Sequence, residues 1–148
     1  MQWEFFQSVP NGYRQSGDKR YGMKEAFFSK AKENLKIAQT AFDLGCYNAS
    51  ANRAYFAAFQ AAIAALANTG VHSKDGKNDH WWVQSEFNLK FIKRQKVYPE
   101  KMKTWLLDMQ QVRNKADYSE KDIGKKVAFK QLSLAAEMIK IIEKELCK

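Results

Sequence analysis

The sequence predicts an all-α fold, an antiparallel up-and-down bundle of about five helices. Apolar residues recur at three- and four-residue steps along most of the chain, and no stretch of any length alternates with the period of two that β-strands show. The chain contains only two prolines and seven glycines, and these mark the breaks between the periodic stretches. Short connections between long helices favour antiparallel neighbours, and an up-and-down bundle follows.

The first two helices are separated by a glycine. The first begins at about Met23, and its helical period stops before Gly45, which is suited to a left-handed helix end. The second is rich in alanine, runs from about Tyr47 to Asn68, and ends at Gly70. Its large apolar residues form one stripe, made of Phe56, Phe59, Ile63 and Leu66.

Three further helices follow a polar loop. The third is expected to start with Asn78 or Asp79 as its cap, and Pro99 suits the first turn of the fourth. Ser119 followed three residues later by Asp122 approximates a capping box, with aspartate in place of the usual glutamate. We therefore predict that the fifth helix begins there.

The N-terminal segment and the two cysteines indicate where the domain begins and in which compartment the protein is located. Residues 1–20 lack a helical period and predict a loosely ordered N-terminal arm, whereas residues 21–148 predict one bundle. The start lacks a signal-peptide pattern, and no segment approaches the ~20 apolar residues of a membrane-spanning helix. Cys46 and Cys147 lack metal-ligand spacing, and free thiols are favoured over a disulfide. We expect a cytoplasmic protein that does not contact membranes.

The net charge of +9 is unevenly distributed. Residues 90–130 contain twelve Lys/Arg and five Asp/Glu, so this stretch alone carries +7. Excess positive charge favours phosphate-bearing partners through counterion release. The alternative is a lysine-coated helix surface that only keeps the protein soluble.

Arg113 is the most informative single residue. It lies four residues after Met109 and three before Ala116, so it belongs to an apolar stripe. A guanidinium in that position must be paired or must line a polar cleft, because an unpaired buried charge is costly. A salt bridge to Asp117, one turn later, and an anion site are the two interpretations.

A second arginine repeats this pattern on the second helix. Arg53 lies at the edge of the aromatic stripe and is followed by Tyr55, a combination that is typical of a hydrogen-bonded anchor between helices. Two such arginines on different helices raise the chance of a shared anion site.

The histidines and tryptophans before the third helix give weaker signals. His72 and His80 have only aspartates nearby as further metal ligands, so we expect a cap or surface role and no metal. Trp81 and Trp82 could stack on a base, but packing against the bundle end is favoured. The chain has no phosphate-binding glycine loop, nucleophile elbow or paired-histidine zinc helix, and no cofactor is predicted.

Two segments contain motifs that resemble those of a known family. The segment 45–70, with YNASANRAYFAAFQAA at its centre, is similar to the Gly-x-Tyr turn and the Arg-Ala-Tyr-Tyr-Ala-x-Phe run of HEPN-domain proteins. The run RNKADY at 113–118 is similar to the Arg-x-x-Ala-Asp-Tyr motif of its small single-domain prokaryotic branch. His80 and Phe87 stand where that branch often has a histidine and a phenylalanine. The resemblance covers about Ala26 to Leu146.

The resemblance implies a homodimer with the fourth-helix motifs of two subunits across one basic cleft. Many relatives are metal-independent RNA endonucleases of toxin–antitoxin or phage-defence systems, and many are encoded beside a nucleotidyltransferase. Their catalytic signature is an arginine followed one to two helical turns later by a histidine. Here no histidine follows Arg113, and Tyr118, whose ordinary pKa of ~10 makes it a poor base, stands in its place.

The leading hypothesis is therefore a dimer that binds RNA or a nucleotide, or partners a nucleotidyltransferase, without efficient nuclease activity. One alternative is a ribonuclease using Arg113 with Asp117 or Tyr118, and another is a non-catalytic interaction scaffold. The residues expected to bind RNA or a nucleotide are Arg113, Tyr118, Arg53, Tyr55 and Lys115.

Overall fold

The computed structural model describes the backbone of residues 19–148 and the side chains from residue 22 onward. The predicted arm, residues 1–20, lies almost entirely outside the described residues. The described part contains five α-helices and no strand, so the all-α bundle is confirmed. None of these helices combines the length and apolar content needed to cross a membrane. The helices are α1 (Lys19–Asp43), α2 (Tyr47–Asn68), α3 (His80–Phe87), α4 (Trp105–Tyr118) and α5 (Lys125–Leu146).

The first two helices are antiparallel neighbours. Gly45 between them has a φ of 77°, a conformation that glycine adopts without steric cost. The hydroxyl of Ser50 on α2 donates to the carbonyl of Ala38 on α1 at 2.8 Å. Further along α2, Gln60 accepts a hydrogen bond of 2.7 Å from Asn34, which lies earlier on α1. The pairing runs in opposite directions along the two helices, as predicted.

Helix α2 lies at the centre of the bundle and contacts all four other helices. Its predicted bounds and its glycine stop are confirmed, since Gly70 has a φ of 81° directly after the helix. Alanine side chains end at Cβ, which lets neighbouring helices approach α2 closely. The alanines buried along it are Ala51, Ala54, Ala57, Ala58, Ala61, Ala62, Ala64, Ala65 and Ala67.

The segment between α2 and α4 departs from a simple helix. Asp79 caps α3 as predicted, and its side chain accepts hydrogen bonds from the backbone N–H groups of Trp81 and Trp82. The helix then widens into a π-helix, Asn88–Arg94, which the periodicity did not predict. Pro99 begins a short 3-10 helix, Glu100–Thr104, that leads into α4.

The predicted capping box of the last helix is wrong. Helix α5 begins at Lys125, and the residue at its cap position is Gly124, which has no side chain that could cap it. The Ser119 hydroxyl instead accepts from the backbone N–H of Lys121 at 3.1 Å. Asp122 accepts from Asn48 at 2.9 Å, so it ties this loop to the start of α2. Both side chains serve the loop rather than the helix.

A buried glutamine forms hydrogen bonds that join three helices, one turn away from Arg113. Gln131 on α5 is 2% exposed, and its amide donates to the carbonyls of Met109 on α4 at 2.7 Å and Ala51 on α2 at 3.3 Å. Met109 lies one turn before Arg113. The part of α4 that bears Arg113 is therefore held against α2 and α5.

Candidate anion-binding site

Two arginines from different helices meet at one aromatic ring. The guanidinium carbons of Arg53 on α2 and Arg113 on α4 each lie 5.1 Å from the centroid of the Phe56 ring. This distance allows a cation–π attraction to the ring of Phe56 from both side chains. The structure thus brings together the two arginines that sequence analysis proposed for a shared site.

Arg113 forms a salt bridge with Asp117, as one of the two interpretations of its position predicted. Its Nε lies 3.0 Å from Oδ2 of Asp117, one helical turn later, and only 17% of its side chain is exposed. The Nε–H bond does not point at that oxygen, so the contact is an ion pair without an aligned hydrogen bond. Nη1 donates to the amide oxygen of Asn114 at 3.1 Å. The pairing leaves guanidinium donors for a further acceptor.

Two hydrogen bonds and the ion pair of Arg113 with Asp117 connect the two guanidinium groups. Asp117 accepts from Asn52 at 2.8 Å, and the Asn52 amide oxygen accepts from Nε of Arg53 at 2.8 Å. Arg53 also donates to Asn34 of α1 at 3.2 Å. Among the described residues, Asp117 is the only carboxylate that pairs with either arginine. The group therefore keeps a positive charge, which favours an anion.

His80 lies at the edge of this group. Its Nδ1 is 2.6 Å from the hydroxyl of Tyr55, and its ring centroid lies 4.6 Å from that of Phe59 and 6.0 Å from that of Phe56. Of the two predicted roles, the cap is wrong for His80, because Asp79 caps α3; His80 is partly exposed and packs on aromatic rings. His72 is exposed, in agreement with the prediction.

Burial and a neighbouring charge change the pKa values of His80 and Tyr55. Burial lowers the pKa of His80 below its usual 6.5, and the positive charge of Arg113 lowers it further. Burial raises the pKa of Tyr55 to about 12. The Tyr55 oxygen also accepts from Gln84 at 3.4 Å, and whether Tyr55 donates to Nδ1 of His80 or accepts from it depends on the imidazole tautomer. The lowered pKa favours a neutral imidazole near pH 7, and in the tautomer that accepts from Tyr55 the proton lies on Nε2, where it can donate to an anion.

The remaining predicted binding residues differ in accessibility. The ring of Tyr118 lies 5.7 Å from the guanidinium carbon of Arg113 and is 77% exposed. Tyr55 is fully buried, so it can position His80 but cannot contact a ligand. Lys115 follows Arg113 by two residues and therefore projects from α4 about 200° further around the axis. It does not join the group.

Sequence reasoning missed three members of the site. Phe56 was assigned to the core stripe, but it is partly exposed and receives both arginines. Asn52 and His80 join only through contacts between helices. Two signals were available in the sequence. Asn52 is next to Arg53, and His80 stands where the resembling family often has a histidine. Trp81 is 75% exposed, contrary to the favoured packing role, whereas Trp82 packs against the core.

Comparison with known families gives one match. The family model of the HEPN domain matches residues 24–146, which is most of the chain and includes every residue of the site described above. No curated protein matches the chain.

Proposed function

Because this chain belongs to the HEPN domain family, we propose that it is a homodimer that binds RNA through the group formed by Arg53, Arg113 and His80. The observation that supports this most directly is the pair of guanidinium groups with one carboxylate partner, Asp117, among the described residues. We further propose that binding proceeds without efficient nuclease activity, since no histidine follows Arg113 on α4 and Tyr118 stands in its place.

The site offers complementary contacts for a phosphate and a base. Arg113 has donors left beside its ion pair, and His80 adds a neutral donor when its proton lies on Nε2. The exposed ring of Tyr118 is suited to stacking on an unpaired base. The net charge of +7 over residues 90–130 extends the electrostatic attraction beyond this group. Each contact suits single-stranded RNA.

Helix α4 supplies the surface for the proposed dimer. Leu107 on α4 is 50% exposed, and an exposed apolar side chain on a helix is suited to contact with the same surface of a second copy. A nucleotidyltransferase in a toxin–antitoxin or defence module is the further partner that we propose. Free, exposed Cys46 and Cys147 agree with a cytoplasmic location.

Binding of RNA at low salt tests this proposal. Fluorescence anisotropy with a labelled, mixed single-stranded RNA should give saturable binding that weakens as salt is raised. Arg113→Ala should weaken binding by about tenfold, because a guanidinium–phosphate contact is charge-assisted. Lys144→Ala removes the same charge from the C-terminal end of α5, away from Arg113. This variant should change the affinity less than twofold. Absence of binding by the unmodified protein, or equal losses in both variants, would overturn the proposal.

RNA cleavage is a second candidate function, favoured by the imidazole of His80 beside Arg113. In that case Nδ1–H would donate to Tyr55, and Nε2 would take the proton of a ribose 2′-hydroxyl. The 2′-oxygen would bond to phosphorus, the bond to the 5′-oxygen would break, and that oxygen would take a proton from the imidazolium. Incubation of an RNA pool in EDTA separates the candidates, because cleavage should vanish in both His80→Ala and Arg113→Ala. If the RNA stays intact with the unmodified protein, binding without cleavage is the remaining candidate function.

A further inference from the structure

A cavity of about 800 Å³ lies between the π-helix and the 3-10 helix, at the opposite end of α3 from His80. This volume is within the range of small-molecule sites, which is about 300–1,000 Å³. It is separate from the arginine site, since it shares no residue with it. The lining residues on which its chemistry depends are Ile92, Tyr98, Lys93, Lys96, Glu100 and Lys103.

The backbone around the cavity is unusual. The π-helix ends with a hydrogen bond of 2.9 Å from the N–H of Gln95 to the carbonyl of Lys90, five residues earlier. Lys96 then has a φ of 50°, a left-handed conformation that is uncommon and costly for a residue with a side chain. π-Helical turns and strained residues concentrate at functional sites. The chain departs from α-helical geometry at the wall of the cavity.

The floor of the cavity is apolar and firmly held. Ile92 and Tyr98 are buried, and the ring of Tyr98 stacks on Phe87 with centroids 5.3 Å apart and planes 9° apart. The amide of Asn88, on the π-helix, donates to the carbonyl of Lys103, on the 3-10 helix, at 2.9 Å. This bond fixes the distance between the two walls.

The charge around the cavity is strongly positive. Three of the lining residues, Lys93, Lys96 and Lys103, are cationic, and Glu100 is the only acidic one. None of the three lysines forms a salt bridge with another residue in the described part of the chain. Residues 88–104 contain six Lys/Arg and one Glu. Such a surface attracts anions.

We propose that this cavity binds a small organic anion with an apolar body, of the class of aromatic carboxylates and sulfonates. The apolar body would lie on Ile92 and Tyr98, and the acidic group would meet the lysines that line the cavity. The limited volume and the apolar floor favour such a molecule over a polyanion. The inference does not depend on RNA binding at the arginine site.

A pair of matched probes tests it. The first is 8-anilinonaphthalene-1-sulfonate, and the second is N-phenyl-1-naphthylamine, which has the same rings without the sulfonate. The sulfonate should bind saturably to the folded protein, as measured by fluorescence titration. It should also shift the backbone amide resonances of residues 88–104 in nitrogen–proton correlation spectra. The variant carrying both Lys93→Ala and Lys103→Ala should bind the sulfonate about three- to tenfold more weakly.

The neutral probe and a distant variant serve as controls. Affinity for N-phenyl-1-naphthylamine should be unchanged by the double substitution, because that probe has no charge to pair. Lys36→Ala, which removes an exposed positive charge from α1, should bind the sulfonate as the unmodified protein does. Absence of binding, amide shifts outside residues 88–104, or equal losses for both probes would overturn the proposal. RNA titrations of the same double variant show independently whether the arginine site is intact.

Discussion

The hydroxyl oxygen of Tyr55 lies 2.6 Å from Nδ1 of His80, at the edge of the aromatic core. Burial and the charge of Arg113 hold the pKa of His80 below its usual 6.5. The unfolded chain therefore binds a proton at this side chain at a higher pH than the folded chain does. The resulting stability is present above pH 6.5 and is lost as the pH falls through the folded-state pKa.

This linkage predicts a pH dependence that one substitution removes. The thermal unfolding midpoint should fall between about pH 7.5 and about pH 5, and the fall should be smaller in His80→Gln, which cannot titrate. Circular dichroism at the two pH values measures both midpoints. His72→Gln alters an exposed histidine and should keep the full fall. An equal fall in His80→Gln would show that other groups set the acid sensitivity.

The hydrogen bond from Ser50 to the Ala38 carbonyl predicts a measurable contribution to stability. Ser50 is fully buried, so Ser50→Ala leaves that carbonyl without its side-chain donor. We expect a loss of about 1 kcal/mol relative to Ser133→Ala on the exposed face of α5. Both changes raise helix propensity alike, so the difference in urea unfolding isolates the hydrogen bond. Equal stabilities would mean that the contact between α1 and α2 does not need it.

Two glycines predict effects of opposite sign. Gly70 has a φ of 81°, so Gly70→Ala should destabilise the protein by about 1 kcal/mol through backbone strain alone, since no atom of the described residues lies within 4 Å of the added Cβ. Gly22 lies within α1, where the described residues leave the same space, and Gly22→Ala should stabilise by about 0.5–1 kcal/mol. Urea unfolding measures both. Stabilisation by Gly70→Ala would contradict the assigned left-handed helix end.

The elements that sequence reasoning located correctly are those whose signals are local. Helix α2 has a continuous helical period and a glycine at its end, and its bounds, Tyr47–Asn68, were predicted correctly. The cap at Asp79 is equally local. The capping box at Ser119 failed because Asp122 pairs with Asn48, a residue far away in sequence. The π-helix has no distinct period of apolar residues, so nothing in the pattern marked it.

In the candidate site, too, the features with local signals were predicted and those that depend on helix packing were not. The apolar stripe placed Arg113 beside the core, and the i,i+4 spacing predicted its ion pair with Asp117. The contact of Tyr55 with His80 joins two helices that are separated by a loop, and it arises only from their packing. No periodicity could show that a histidine at the start of α3 lies near an arginine on α4.

The ion pair of Arg113 with Asp117 predicts how charge controls RNA binding. Asp117→Asn keeps an oxygen that can accept from Asn52 but removes the carboxylate that competes with phosphate for the guanidinium. RNA affinity at low salt should therefore rise a few-fold, and its salt dependence should become steeper. Stability should fall by about 0.5 kcal/mol, because the paired side chains are partly exposed and screened. Anisotropy titrations and urea unfolding measure the two effects.

A second aspartate on the same helix distinguishes local from general charge. Asp108→Asn changes the net charge equally, but Asp108 lies in the first turn of α4, more than two turns from Asp117. Only Asp117→Asn should raise RNA affinity appreciably if the effect arises at Arg113. Weaker binding by Asp117→Asn would mean that the carboxylate orients the guanidinium for the phosphate. In that case Arg113 would still bind RNA, but only in the position that Asp117 and Asn52 give it.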